Sequence, residues 1–149
     1  MPYGQFIRDN LAKPVKPDFK QITQQLKRAE KDLKTADAIA GDDLTWAYTI
    51  AYHAMLRAGR ALMFSHGVLP TTRNTHKTIV EFTKVVLGSK FENLVARFGR
   101  MRRERHDFIY DSQNGFTARD VDSAITIARK LICEIVAEVK KLNPQRYML

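Results

Sequence analysis

At 149 residues the chain fits one domain with room for a real core, and an apolar content of 44% suits neither a disordered segment nor a membrane protein. No run is long and apolar enough to span a bilayer, no basic-then-apolar leader opens the chain, and a single cysteine, Cys133, excludes an internal disulfide; together these predict a cytoplasmic protein without membrane partners. The formal net charge of +9 excludes little, but it directs attention to acidic partners, nucleic acid first among them.

Residues 1–17 carry Pro2, Pro14 and Pro17 and lack a long period, which predicts an extended or partly ordered arm ahead of a helical bundle over 18–149. Asp18 caps a first helix in which Phe19, Ile22, Leu26, Ala29, Leu33, Ala36 and Ala40 recur at alternating three and four, with Gly41 as its stop. Asp42 or Asp43 caps a second helix running to about His66 and Gly67. Its stripe of Ala47, Ala51, Ala54, Ala58 and Ala61 admits close neighbours, and its low polarity predicts the most buried position in the bundle. Val68 to Asn74 reads as a loop. A shorter helix follows over about Thr75 to Leu87, ended by Gly88.

Ser89 then caps a fourth helix, which Gly99 is placed to bend. After a polar loop from Asp111 to Phe116, Thr117 and Asp120 form a capping-box start for the last helix. There Val121, Ile125, Ala128, Ile132, Ile135, Val139 and Leu142 repeat at four and three, and Ile127, Leu131 and Val136 add a second apolar edge suited to another subunit. Pro144 closes it. No segment shows sustained two-residue alternation between hairpin turns. The fold class is therefore all-α: an antiparallel bundle of four to five helices, with the second and last at its centre.

The stretch from Gly99 to Asp111 holds four arginines, His106 and Tyr110. At 3.6 residues per turn, Phe91, Leu94, Phe98, Met101, Phe108 and Ile109 share a broad face, and Arg105 falls in the middle of it. Arg102, His106 and Tyr110 line its edge at i, i+4, i+8, while Arg100, Arg103 and Asp107 point elsewhere. An inward guanidinium is costly unless it is paired or faces a wet cleft, so this break in the pattern marks a candidate site. Arginine captures phosphate, and a neighbouring histidine moves protons near neutral pH.

Other chemistry finds little support. His53, His66, His76 and His106 lack metal-ligand spacing, so no metal and no cofactor are expected. His53, in the apolar second helix, reads as a hydrogen-bonded core or interface residue, and Cys133 as a buried inert thiol. There is no GxxxxGK[ST], GxGxxG or GxSxG.

Two stretches carry a family resemblance. One is the alanine- and tyrosine-rich run from Trp46 to Leu62, followed by Gly67 and His76; the other is Arg105-His106-Asp107-Phe108-Ile109-Tyr110-Asp111, followed by a capped amphipathic helix. Together they resemble the HEPN family of prokaryotic helical bundles over about residues 18–143. The resemblance implies a bundle that dimerises, with an Arg-polar-three-residues-His motif from two subunits forming a metal-independent ribonuclease cleft. In that cleft arginine binds the scissile phosphate and histidine assists attack by the ribose 2′-hydroxyl. It also implies toxin–antitoxin, phage-defence or RNA-processing roles, with a cognate antitoxin or a nucleotidyltransferase as partner.

One position departs from the motif. With Arg105 as its arginine, His106 takes the polar place and Tyr110 stands where the histidine belongs; tyrosine titrates near pH 10 and is a poor base at neutral pH. A second register pairs Arg100 with His106, but Arg100 points away from the face that carries Arg105. The expected site is Arg105, His106 and Tyr110, with Arg100, Arg102 and Arg103 as phosphate contacts. Two functions follow: a metal-independent endoribonuclease, or a non-catalytic module that binds RNA, a nucleotide or a protein.

Overall fold

The three longest helices each begin where a short polar side chain takes up the first amide groups. The computed structural model describes residues 3–110 and 115–144, with the backbone alone for 106–110. Asp18 accepts from the backbone N–H groups of Lys20 and Gln21 and opens α2 (Phe19–Ile39). Asp43 accepts from the N–H of Trp46 and opens α3 (Leu44–Ser65). Thr117 and Asp120 exchange both hydrogen bonds of a capping box at the start of α6 (Ala118–Leu142). Between them lie α4 (Thr75–Leu87) and α5 (Glu92–Tyr110). These bounds follow the sequence expectation closely.

The core forms where the apolar stripes meet. α3 packs against α2, α6, α4 and α5, and α6 packs back on α2, α3 and α5. The alanine stripe of α3 is fully enclosed. Closest approach comes at Gly59: a Cβ built there would lie 2.5 Å from Cγ2 of Ile79 and 3.2 Å from Oγ1 of Thr83, so α4 sits nearly on the α3 backbone.

Several expectations need correction. The arm is not merely extended: it holds α1 (Gly4–Arg8) and β1 (Ala12–Pro14). β1 pairs antiparallel with β2 (Val68–Pro70), inside the segment expected as a loop, with Ala12 opposite Pro70 and Pro14 opposite Val68. Gly67 makes the turn into β2 at φ +82, where side chains are strained, and its carbonyl accepts from the N–H of Val15 at 2.9 Å. Tyr3 and Phe6 lie with ring centroids 5.4 and 5.7 Å from that of Phe82, clamping the arm to α4. Ser89 does not cap α5; it opens a single 3₁₀ turn over Ser89–Phe91. On α6, Leu131 belongs to the core rather than to an outer edge, leaving Ile127 and Val136 half-buried. Cys133, expected buried, is exposed: it follows buried Ile132 by one residue, which turns it about 100° off the core stripe.

Candidate functional site

Arg105 on α5 points inward, as its place on the apolar face requires. It is half-buried, and its Nε is enclosed with no hydrogen-bond partner among the described residues. The guanidinium carbon lies 5.5 Å from the centroid of the Tyr52 ring, a cation–π arrangement that holds the charge in place. Among the described residues Arg105 forms no ion pair.

Tyr52 is fully enclosed on α3. Its hydroxyl shares a 3.1 Å hydrogen bond with Nδ1 of His76, in the first turn of α4, the direction following the histidine tautomer. Burial pushes the Tyr52 hydroxyl up to about 12, although Arg105 and Arg102 pull it down, so the proton stays on. His53, one residue along α3, completes the group. Its ring centroid is 5.7 Å from that of Tyr52 and 6.2 Å from that of His76, with the two imidazole planes at 88°. Of the two places expected for His53, core or interface, the core is excluded: it is exposed, at the edge of the cluster.

Both imidazoles are held below the ordinary histidine value. Burial is the main cause for each, followed by the positive charge of Arg105. His76 also feels Arg102, and His53 feels His76 and Arg57, with Asp32 acting in the opposite sense. Arg57 is itself tied to α2 through Gln25 at 2.7 Å and Asp32 at 3.4 Å. The cluster thus offers two imidazoles held below their ordinary value, a protonated phenol and fixed cations. That combination suits an anion whose transformation needs protons moved. Among the described residues no three His, Cys, Asp or Glu side chains are grouped to hold a metal.

The arginine run divides. Arg102 is half-buried and acts on Tyr52 and His76 together with Arg105. Arg100 turns into a cleft with Tyr48, Glu104 and Asp120, where the Tyr48 hydroxyl donates to Glu104 at 2.9 Å. Arg103 enters a groove with Glu81, Lys84 and Glu92. Neither acts on Tyr52, His53 or His76 as Arg105 does. The side chains of His106 and Tyr110 lie outside the described residues. Sequence reasoning missed His53 and His76 as companions of Arg105; no spacing along one helix links residues carried on α3, α4 and α5.

No described helix is long and apolar enough to cross a membrane. No curated protein and no solved structure matched the chain. The profile of the HEPN domain, however, matches residues 22–140, from the first turn of α2 to the last of α6. A match of that extent, on an all-α bundle, shows that the chain belongs to the HEPN-domain family.

Proposed function

We propose that the chain acts on RNA as a metal-independent endoribonuclease. One observation carries the reading: Arg105 holds an inward, partly desolvated guanidinium over Tyr52, with no anion paired to it among the described residues and Arg102 close enough to act on the same groups. A phosphodiester supplies the missing charge, and arginine grips it bidentately as lysine cannot. Membership of the HEPN family and the excess of basic residues support RNA as the source of that phosphate. His106 and Tyr110, one and five residues beyond Arg105, complete the motif helix in this reading.

The reaction is attack by a ribose 2′-hydroxyl on the neighbouring phosphorus. It needs proton transfer and charge neutralisation but no metal. The expected result is RNA cleavage that persists in EDTA and leaves 2′,3′-cyclic phosphate ends. Arg105→Ala weakens both binding and cleavage. Salt-dependent RNA binding without any cleavage would select the second reading, a non-catalytic RNA-binding module, which Tyr110 at the motif's histidine position favours.

We also propose a homodimer with α5 and α6 at its interface. Phe91, Leu94, Ile127 and Cys133 line the floor of a groove along those helices, rimmed by Arg97, Arg129, Lys130 and Glu134, a mixed apolar and charged surface suited to a second copy. Light scattering at micromolar concentration should return twice the chain mass; a monomer would refute it. A cognate antitoxin or a nucleotidyltransferase is the proposed heterologous partner.

A further inference from the structure

We propose that His76 and His53, carried on α4 and α3 and outside the motif helix, are the base and the acid of the cleavage. The assignment rests on the reading that the chain cuts RNA. Its ground is geometric. An imidazole reaches an oxygen at about 2.6–3.2 Å. In the proposed complex the phosphorus lies beside the two rings, whose centroids are 6.2 Å apart with planes at 88°, the attacking oxygen toward one and the leaving oxygen toward the other. Arg105, against Tyr52 and acting on both rings, stands where the phosphate's non-bridging oxygens would lie. His76 is the second residue of α4, whose N-cap Asn74 makes no side-chain capping bond, so the positive end of that helix adds to the attraction for an anion.

The two roles differ because the surroundings differ. In the tautomer this role requires, Nδ1–H of His76 donates to the Tyr52 oxygen and Nε2 is the unprotonated working atom. When Nε2 accepts a proton, Nδ1–H donates to the Tyr52 oxygen, and the phenol, which keeps its own proton, needs no change of charge. His53 faces Arg105, His76 and Arg57, which oppose its protonation, and Asp32, which favours it. His53 is exposed where His76 is half-buried, so His53 is the imidazole that water can recharge and that carries a proton into the reaction.

The step balances on these groups alone. Nε2 of His76 removes the 2′-hydroxyl proton as the 2′-oxygen bonds to phosphorus. The bond from phosphorus to the 5′-oxygen breaks, and His53 gives that oxygen a proton. A 2′,3′-cyclic phosphate and a 5′-hydroxyl result, and exchange with water resets both imidazoles. Tyr52 is a positioning residue.

The test uses the full chain in EDTA and a short RNA with one cleavage site. His76→Asn and His53→Asn should each lower the single-turnover rate by about 10²–10⁴-fold, with RNA affinity within threefold of wild type. The wild-type pH profile should be bell-shaped, and each variant should lose one limb. Tyr52→Phe should shift the base limb without changing affinity. A substrate whose leaving 5′-oxygen is replaced by sulfur separates the roles, because a thiolate departs without a proton. His53→Asn should cut it at close to the wild-type rate, and His76→Asn should not. Equal defects of His53→Asn on both substrates would overturn the acid assignment. Cleavage by wild type that survives both histidine substitutions but not His106→Ala would overturn the pair while leaving the ribonuclease reading intact. A wild type that binds RNA and never cuts it would remove both.

Discussion

At the scale of single residues, burial and close contact set the clearest expectations. His53, His66 and His76 all have pKa values lowered by burial, and His66 Nε2 is enclosed without a partner among the described residues while its ring meets Tyr3 and Phe82. A histidine whose folded pKa lies below its unfolded value of about 6.5 binds more protons unfolded than folded just below that pH. Stability should therefore be level above about pH 6.5 and fall as the pH drops through the lowered folded values. Urea midpoints at pH 7.5, 6.5 and 5.5 measure this. His66→Phe, which keeps a ring against Phe82, should make the fall shallower. A midpoint that rises on acidification would contradict the burial argument. Gly59 gives a second case. Its missing Cβ would fall 2.5 Å from Ile79, so Gly59→Ala must push α4 away from α3. The expected loss is about 1–3 kcal/mol in urea unfolding, the usual range for overpacking. Because His76 opens α4, the same variant should also disturb its bond to Tyr52. An unchanged midpoint would mean that Ile79 turns aside freely.

At the scale of elements, helices carry their own signals and short strands do not. Asp18, Asp43 and Thr117 each announce a helix start through a local bond between side chain and backbone, and the structure places α2, α3 and α6 directly after them. Thr117→Ala, which leaves the N–H of Asp120 without its acceptor, should cost about 1 kcal/mol, read from thermal or urea unfolding. A loss below a few tenths would show the box to be redundant with the packing of Val121 and Ile125. β1 and β2 are another matter. Each has three residues, and their partners are dozens of positions apart along the chain, so no periodicity could reveal Ala12 opposite Pro70. The same physics governed the site. Arg105 was legible because a charge interrupts an apolar face within one helix. His53 and His76 were not, because α3 and α4 bring them together only after Gly59 lets the two helices approach. Cys133 illustrates a smaller lesson: a position within an apolar helix says little until its angle to the buried stripe is taken into account.

At the scale of the whole molecule, what matters is where the positive charge goes, not its total. The chain has 25 lysines and arginines against 16 acidic residues. In the sequence Arg100, Arg102, Arg103 and Arg105 look like one basic run. In the fold, Arg100 lines a cleft in which Glu104 and Asp120 balance it and Arg97, and Arg103 a groove in which Glu81 and Glu92 balance it and Lys84, so neither groove carries a net positive charge. Arg102 and Arg105 instead act on Tyr52 and two imidazoles held below their ordinary pKa. An RNA strand bound at the Arg105 pocket should therefore feel two of the four. Salt titration reads this directly. For single strands the slope of log affinity against log salt changes by about 0.7 for each phosphate that the protein ceases to neutralise. Arg102→Ala should flatten the slope by about that amount, whereas Arg100→Ala and Arg103→Ala should leave it nearly unchanged. Arg105→Lys, which keeps the charge but not the planar fork, should weaken binding while preserving most of the slope. Circular dichroism on each variant guards against a loosened fold. Equal flattening by all four arginines would mean that RNA wraps α5 on several faces, and the pocket around Tyr52 would no longer be its principal seat.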